Sequence, residues 1–260
     1  MRFLVAITAL ACCIGCSNFH AQSATQSEAV SFFSALSAAA PDSAKSMISH
    51  KLGLLHSSKD IIKLTDAAEE TIGSTASDLH NEVIYNIFLQ AIVGSDKLSA
   101  DDKLRPALLL ENSQKNQVGG KAADVAYELP DGSRHSILAI ATPLTLVYFN
   151  DPDCDACHKV KENLAHSTVV KRLCDEKKLT VIGIYPFANK EAWQSQHFPD
   201  FVSNGWDYAH DIDDNATYDL PTMPLFYLLG ADKTVLLKNE PSLKAVERFL
   251  DGLASEPHIQ

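Results

Sequence analysis

Hydrophobic residues recur every three or four positions through residues 28–114, and the alternation typical of strands is nearly absent there. This spacing places the apolar side chains on one face of successive helices. Ser77 is a candidate N-cap and Gly94 a stop for the helix between them, and a further helix is expected to begin near Ser99. The pattern predicts a small all-α domain of about four or five helices.

The pattern changes near Gly119, where short strand-like runs replace the helical spacing. Helical spacing returns over 159–173, with a break expected near Ser167, and again in a closing helix over 242–250. The predicted strands cover residues 123–129, 136–139, 144–149, 179–185, 225–229 and 234–237. Because a helix separates the third strand from the fourth, these two are expected to be parallel, with a right-handed crossover. The chain from 118 to 253 is therefore predicted to be an α/β domain.

The chain has 260 residues, of which 46% are hydrophobic and 21% charged. This composition is sufficient to bury a core for one large domain or two small ones. The formal net charge of -11 would repel a phosphate backbone, so we expect no nucleic-acid partner.

The first residues have the pattern of an export signal. Arg2 is followed by an apolar run, 3–14, that is too short to span a bilayer as a mature helix. We therefore expect a signal peptide at 1–16 and a mature protein that works in the periplasm-facing cell envelope.

Three cysteines, Cys12, Cys13 and Cys16, lie near the end of this apolar run. The C-I-G-C-S sequence resembles a bacterial lipoprotein processing site, with Cys16 as the lipidated residue. Cys12 is a rival acceptor, and ordinary signal cleavage near Ala21 is a further alternative. We expect a lipid anchor at Cys16 and, after it, a small polar tether over 17–27.

The C-D-A-C-H sequence contains Cys154, Cys157 and His158 and is compatible with three chemistries. It has the spacing of a c-type haem attachment site, of half a zinc site and of a thiol/disulfide exchanger. A zinc site needs two more ligands, and the chain has no second C-x-x-C. The haem interpretation is disfavoured because the motif lies between predicted buried strands, without a helical shell around it. We therefore expect no metal and no cofactor.

Residues 118–253 resemble the thioredoxin superfamily in three features: a buried strand before the cysteine pair, a helix after it, and the P-T-M-P sequence that ends at Pro224 before a strand. The leading G-G-K-A-A-D-V-A-Y-E-L-P-D-G-S sequence makes the domain most similar to exported TlpA/ResA-like thiol/disulfide oxidoreductases. The whole chain is similar to members of this group that carry a helical front domain of unassigned role.

The resemblance implies a C-terminal thioredoxin-like fold preceded by a small all-α domain. It implies that Pro224 is cis and that the backbone of Met223 pairs with an extended substrate chain. The implied partners are protein thiols and disulfides, together with a membrane electron donor if the protein works in the reducing direction.

The two cysteines are expected to have different roles in disulfide exchange. Cys154 is predicted at a helix N-terminus, where the positive end of the helix dipole favours the attacking thiolate. Cys157 follows one turn later on the same side, so it is predicted to be the resolving thiol. Cys174 does not return to that helical face and is predicted to be a buried, inert thiol.

Charged neighbours are expected to tune the ionisation of this pair. Asp151, Asp153 and Asp155 surround the first cysteine, and negative charge disfavours a thiolate. We therefore expect a pair that is more reducing than that of a strong oxidant. His158, if protonated, would act in the opposite direction.

Two departures from the family pattern keep an alternative function open. An aspartate replaces the aromatic residue that commonly precedes the first cysteine. The strand at 144–149 lacks the buried acid that some relatives use for proton transfer, and Glu128 and Asp207 are two carboxylates that could replace it. The alternative is a thioredoxin-fold binding or chaperone-like module with little catalytic turnover.

Overall fold

The structure, a computed structural model, describes residues 29–255. It divides into two compact units, one ending at Lys103 and the other beginning at Leu104. The predicted signal peptide, the tether and the candidate lipidation residues Cys12 and Cys16 lie outside the described residues. No helix within the described range is long and apolar enough to cross a membrane.

The first unit is helical, which confirms the prediction from its pattern. Its elements are α1 at 29–37, α2 (Pro41–Leu54), α3 (Ser58–Ala68), a π-helical turn (Glu69–Gly73) and α4 (Glu82–Val93), while α5 (Ala100–Ser113) crosses the division between the units. The apolar stripes of α1 to α4 face inward and are fully buried at positions such as Phe33, Ile48, Ile61 and Phe88. Burial of these stripes holds the four helices together.

The helix boundaries follow local hydrogen bonds. The N-cap of α4 is Asn81, whose side chain accepts a backbone N–H at 3.1 Å, so the prediction of Ser77 as the cap was wrong. Gly94 is the C-cap, as predicted. At the start of α5, Ser99 Oγ accepts the N–H of Asp102 at 3.2 Å, and the Asp102 carboxylate accepts the N–H of Ser99 at 3.1 Å. This reciprocal capping box fixes the predicted helix start.

The second unit is built around a seven-stranded sheet with the strand order β2-β1-β5-β4-β3-β6-β7. The strands are β1 (Ala126–Glu128), β2 (Arg134–Ser136), β3 (Leu144–Phe149), β4 (Leu179–Tyr185), β5 (Val202–Trp206), β6 (Leu225–Leu229) and β7 (Val235–Glu240). Strand β4 is parallel to both β3 and β5, whereas β6 is antiparallel to β3 and β7. The predicted α/β class and the parallel pairing of β3 with β4 are confirmed.

Strand β3 is buried on both faces of the sheet. Alternate residues point to opposite faces. Leu146 and Tyr148 pack on one side with the helices α6 (Asp155–His166), α7 (Thr168–Asp175) and α10 (Leu243–Ser255). Val147 and Phe149 pack on the other side with Tyr218. Two-sided burial explains why this strand has a continuous apolar sequence rather than an alternating one.

The main differences from the predicted strands are in β2 and β5. Strand β2 lies at Arg134–Ser136 rather than at 136–139, because Ile137–Ala139 forms a 3-10 helix that buries Ile137. No sequence pattern predicts β5, which contains Asn and Gly, two residues that strands disfavour. Parallel pairing with β4 holds β5 in the sheet, and the short helices α8 (Lys190–Gln194) and α9 (Asp211–Asn215) flank it.

Candidate active site at the start of helix α6

The cysteine pair lies where strand β3 leads into helix α6. Cys154 is the N-cap, with extended backbone angles (φ -102°, ψ 113°), and the backbone N–H of Cys157 donates to Cys154 Sγ at 3.1 Å. Both residues are free thiols. Cys154 is half-buried, whereas Cys157 is only 3% exposed. A partner can therefore reach Cys154, and the N–H of Cys157 is placed to stabilise negative charge on that sulfur.

Cys157 is enclosed between α6 and the sheet. Burial, followed by the hydrogen bond with Cys154, raises the pKa of the Cys157 thiol to about 12. Beneath it, the fully buried Tyr148 donates its O–H to the Cys157 carbonyl at 2.9 Å. Burial also raises the pKa of Tyr148 well above its usual range. The strand under the cysteines therefore carries a neutral hydrogen-bond donor.

A half-buried cation follows Cys157 on the same helix. Lys161 lies one turn later, with its Nζ 5.1 Å from the ring centroid of Phe198. That ring meets Tyr148 edge-on at 6.3 Å, and a Cβ on Gly183 would lie 2.8 Å from it, so glycine leaves the space for the ring. Burial lowers the pKa of Lys161, and negative charge on Cys157 opposes that change. Lys161 and Cys157 are thus electrostatically linked.

The loop before β6 faces the accessible cysteine. The Met223–Pro224 peptide bond is cis, as the family resemblance implied. The Cys154 thiol donates to the Met223 carbonyl, with an Sγ to O distance of 3.7 Å. The structure thus brings together four of the predicted site residues, Cys154, Cys157, Met223 and Pro224.

The three aspartates have different positions around the motif. Asp151 is half-buried, whereas Asp153 and Asp155 are exposed. The carboxylate of Asp151 accepts the N–H of Asp153 at 3.0 Å, and its carbonyl accepts the N–H of Cys154 at 3.3 Å. Asp151 therefore builds the turn that leads into α6. Its charge also makes a minor contribution to the raised pKa of Cys157.

His158 is exposed and lies against the loop before the cysteines. Its Nε2 is 2.6 Å from the Pro152 carbonyl oxygen. Because a carbonyl can only accept, Nε2 is the nitrogen that donates the proton. His158 therefore ties the first turn of α6 to the turn that precedes it.

Neither of the two carboxylates considered as substitutes for a buried acid is free for that task. Glu128 forms ion pairs with Lys190 at 2.7 Å and Arg134 at 3.3 Å, and the hydrogen bond from Lys190 is the main cause of its lowered pKa. Asp207 is fully buried and accepts the N–H of Ile212 at 2.8 Å. Burial raises the pKa of Asp207, but its carboxylate holds the start of α9.

Cys174 lies at the end of α7, half-buried against the core. The predicted full burial is therefore wrong, although partial burial still raises the pKa of its thiol to about 11.

Sequence reasoning missed Tyr148 and Lys161. Alternation along β3 could have placed Tyr148 on the same face as Leu146, and the four-residue spacing from Cys157 could have placed Lys161 on the same side of α6.

Among residues 29–255, no group of three His, Cys, Asp or Glu side chains is arranged to hold a metal ion. The group placed to hold negative charge on Cys154 is the backbone N–H of Cys157, at 3.1 Å from the sulfur.

Comparison with solved structures finds relatives in Bacteroides. A thioredoxin-like protein from Bacteroides caccae ATCC 43185 is 29% identical, with a TM-score of 0.78, over 92% of this chain and 86% of that chain. The C-terminal domain of an uncharacterized protein from Bacteroides fragilis NCTC 9343 is 35% identical, with a TM-score of 0.50, over 52% of this chain and 98% of that chain. No protein-family model and no curated protein matches the sequence.

Proposed function

The chain belongs to the thioredoxin superfamily, and from that premise we propose that it is an exported, TlpA/ResA-like thiol/disulfide oxidoreductase that reduces protein disulfides through Cys154 and Cys157. One observation carries the proposal. The accessible sulfur of Cys154 lies between the N–H of Cys157 at 3.1 Å and the carbonyl of Met223 at 3.7 Å. A thiolate is thereby stabilised on one side and faces, on the other, the backbone along which a partner chain would lie.

In the first step the Cys154 thiolate attacks one sulfur of a disulfide in the partner. The partner's S–S bond breaks, a mixed disulfide forms on Cys154, and the departing thiolate takes a proton from water. Cys157 does not compete in this step, because a thiol with a pKa of about 12 remains protonated near neutral pH.

In the second step Cys157 gives up its proton and attacks the sulfur of Cys154. The partner leaves as a thiol, so two electrons have moved to it and a Cys154–Cys157 disulfide remains. The Lys161 ammonium, one turn away, offsets the negative charge that develops on Cys157. A thiol donor must then reduce the pair, and we propose that this donor is held in the membrane.

Lipidation at Cys16 is part of the proposal, since an anchor would keep the protein near such a donor. Expression in a bacterial host that is fed an alkyne fatty acid should label the wild-type chain, and Cys16→Ser should lose the label. Loss of label only in Cys12→Ser would move the anchor to Cys12. Absence of label in the wild type would favour ordinary signal cleavage.

Reduction of insulin disulfides tests the catalytic function directly. Wild type should catalyse the reaction with a chemical thiol as donor, Cys154→Ser should not, and Cys174→Ser should match the wild type as the control. Equal activity of wild type and Cys154→Ser would favour the binding module instead.

Trapping identifies the partners. Cys157→Ser should hold partner proteins on Cys154 as mixed disulfides that a reductant releases, because the resolving thiol is missing. The double variant Cys154→Ser with Cys157→Ser is the control and should trap nothing.

A further inference from the structure

A cavity of about 230 Å³ opens beside Met223 in the second unit. Phe187, Leu220 and Met223 line it with apolar surface, and Asp213 and Asp219 add carboxylates. The cavity begins at the residue whose carbonyl contacts the Cys154 thiol. The cavity therefore adjoins the backbone beside which a partner would react.

The walls of the cavity are fixed by hydrogen bonds outside it. The carbonyl of Phe187 accepts the indole N–H of Trp206 at 2.9 Å. Tyr218, which lines the cavity and is 2% exposed, donates its O–H to the carbonyl of Ala123 at 2.8 Å. Asp207 holds the first turn of the helix that carries Asp213. Because these walls are already ordered, little conformational entropy is lost when a side chain binds in the cavity.

The charged side chains of the lining are acidic, and one ammonium lies next to the lining, because Lys115 donates to the carbonyl of Ala216 at 2.8 Å and to the side chain of Asn112 at 3.0 Å. Among the described residues that line the cavity, two are carboxylates and none is basic. Asp213 is exposed at the rim, and Asp219 is half-buried. A cation at the rim gains attraction from the exposed carboxylate of Asp213, whereas an anion is repelled by it. A long side chain with an apolar stem and a positive end fits both the walls and the rim.

We propose that this cavity receives a lysine or arginine side chain that lies within two residues of the reacting cysteine in the partner protein. The inference rests on the proposed function and names its substrate class. An extended chain rises about 3.3 Å per residue, so a residue this close to a sulfur bonded to Cys154 reaches the space beside Met223. Its stem packs on Phe187 and Leu220, and its charged end meets Asp213.

Peptide disulfides test the proposal on the full-length chain carrying Cys157→Ser. The peptides contain one cysteine, activated with a coloured aromatic thiol, and differ only in having lysine, glutamine or glutamate at positions beside it. Stopped-flow release of the coloured thiolate gives the rate constant, and mass spectrometry confirms the peptide on Cys154. We expect the lysine peptide to react about tenfold faster than the glutamate peptide, with a smaller ratio in high salt.

Asp213→Asn should reduce the lysine-to-glutamate ratio at least about threefold. Asp214→Asn is the matched control, because Asp214 is exposed on the same short helix and does not line the cavity. Equal rates for all three peptides, or equal effects of the two variants, would overturn the cavity proposal and leave the proposed function intact. Failure of every peptide to react with Cys154 would overturn both.

Discussion

Helices α6 and α7 begin in the same way, but only one of them starts with a reactive group. In α6 the sulfur of Cys154 accepts the N–H of Cys157 at 3.1 Å, and in α7 the hydroxyl of Ser167 accepts the N–H of Val170 at 3.2 Å. Serine is a favoured N-cap, and cysteine is not. Helix stability therefore accounts for the residue that starts α7, whereas the proposed disulfide exchange would account for the one that starts α6.

Burial separates the two caps further. Cys154 is half-buried and faces Met223, whereas Ser167 is 5% exposed and donates to the carboxylate of Glu247. The two helices also differ seven residues after the cap. That position is the charged Lys161 in α6 and the uncharged, half-buried Cys174 in α7. The same backbone geometry therefore leaves the cap of α6 open, as the proposed reaction requires, and covers the cap of α7 for packing. Each of these positions can be exchanged to test that distinction.

The largest effect is expected for Cys154→Ser. Serine restores a good cap, so the free energy of unfolding should stay within about 0.5 kcal/mol of the wild type or rise. Loss of the nucleophile should lower the rate of insulin reduction by about a thousandfold or more. Denaturant unfolding and the turnover assay give the two quantities. A clear loss of stability without loss of turnover would reverse the roles assigned to the two helix starts.

Lys161→Met should give the next largest effect. The variant keeps the aliphatic length but removes the charge that offsets the Cys157 thiolate. In single-turnover reactions with a peptide disulfide, we expect attack by Cys154 at the wild-type rate and release of the partner about tenfold slower, equivalent to about one pKa unit. Lys159→Met, on the exposed side of α6, is the control and should change neither step. Slowing of attack alone, or equal slowing by both variants, would contradict this role.

Ser167→Ala should affect stability and not chemistry. The change removes the cap of α7 and the bond to Glu247, and loss of an N-cap costs about 1 kcal/mol. We expect this decrease in the free energy of unfolding, with insulin reduction unchanged. Ser167→Thr retains a hydroxyl and should recover part of the loss. Slower insulin reduction by a Ser167→Ala protein that is fully folded would show that α7 contributes to the active site.

The break between these two helices could be predicted from the sequence, because helical spacing fails at Ser167, a good cap residue. The cysteines and Met223–Pro224 could also be identified, since each lies next to an apolar run that buried strands produce. Strand β5 could not be predicted from the sequence. Its residues disfavour a strand, and its place in the sheet depends on pairing with β4. The cavity could not be predicted either, because its walls come from separate segments that only the folded chain brings together.

Near neutral pH the smallest effect is expected at Cys174, the α7 counterpart of Lys161. Burial raises the pKa of its thiol to about 11, whereas an unfolded cysteine ionises near about 8.5. Between these two values the unfolded chain has lost a proton that the folded chain retains, so rising pH favours unfolding.

The stability that the protonated Cys174 thiol contributes should therefore be fully retained below about pH 8.5 and be lost progressively up to about pH 11. The free energy of unfolding of Cys174→Ala should decline less steeply with pH over that window. Between about pH 6 and 8 it should run parallel to that of the wild type, because neither the folded nor the unfolded chain ionises this thiol there. Urea unfolding at a series of pH values measures both slopes. Identical slopes above pH 8.5 would mean that Cys174 is open to solvent, and the contrast between a covered α7 and an open α6 would then be limited to their caps.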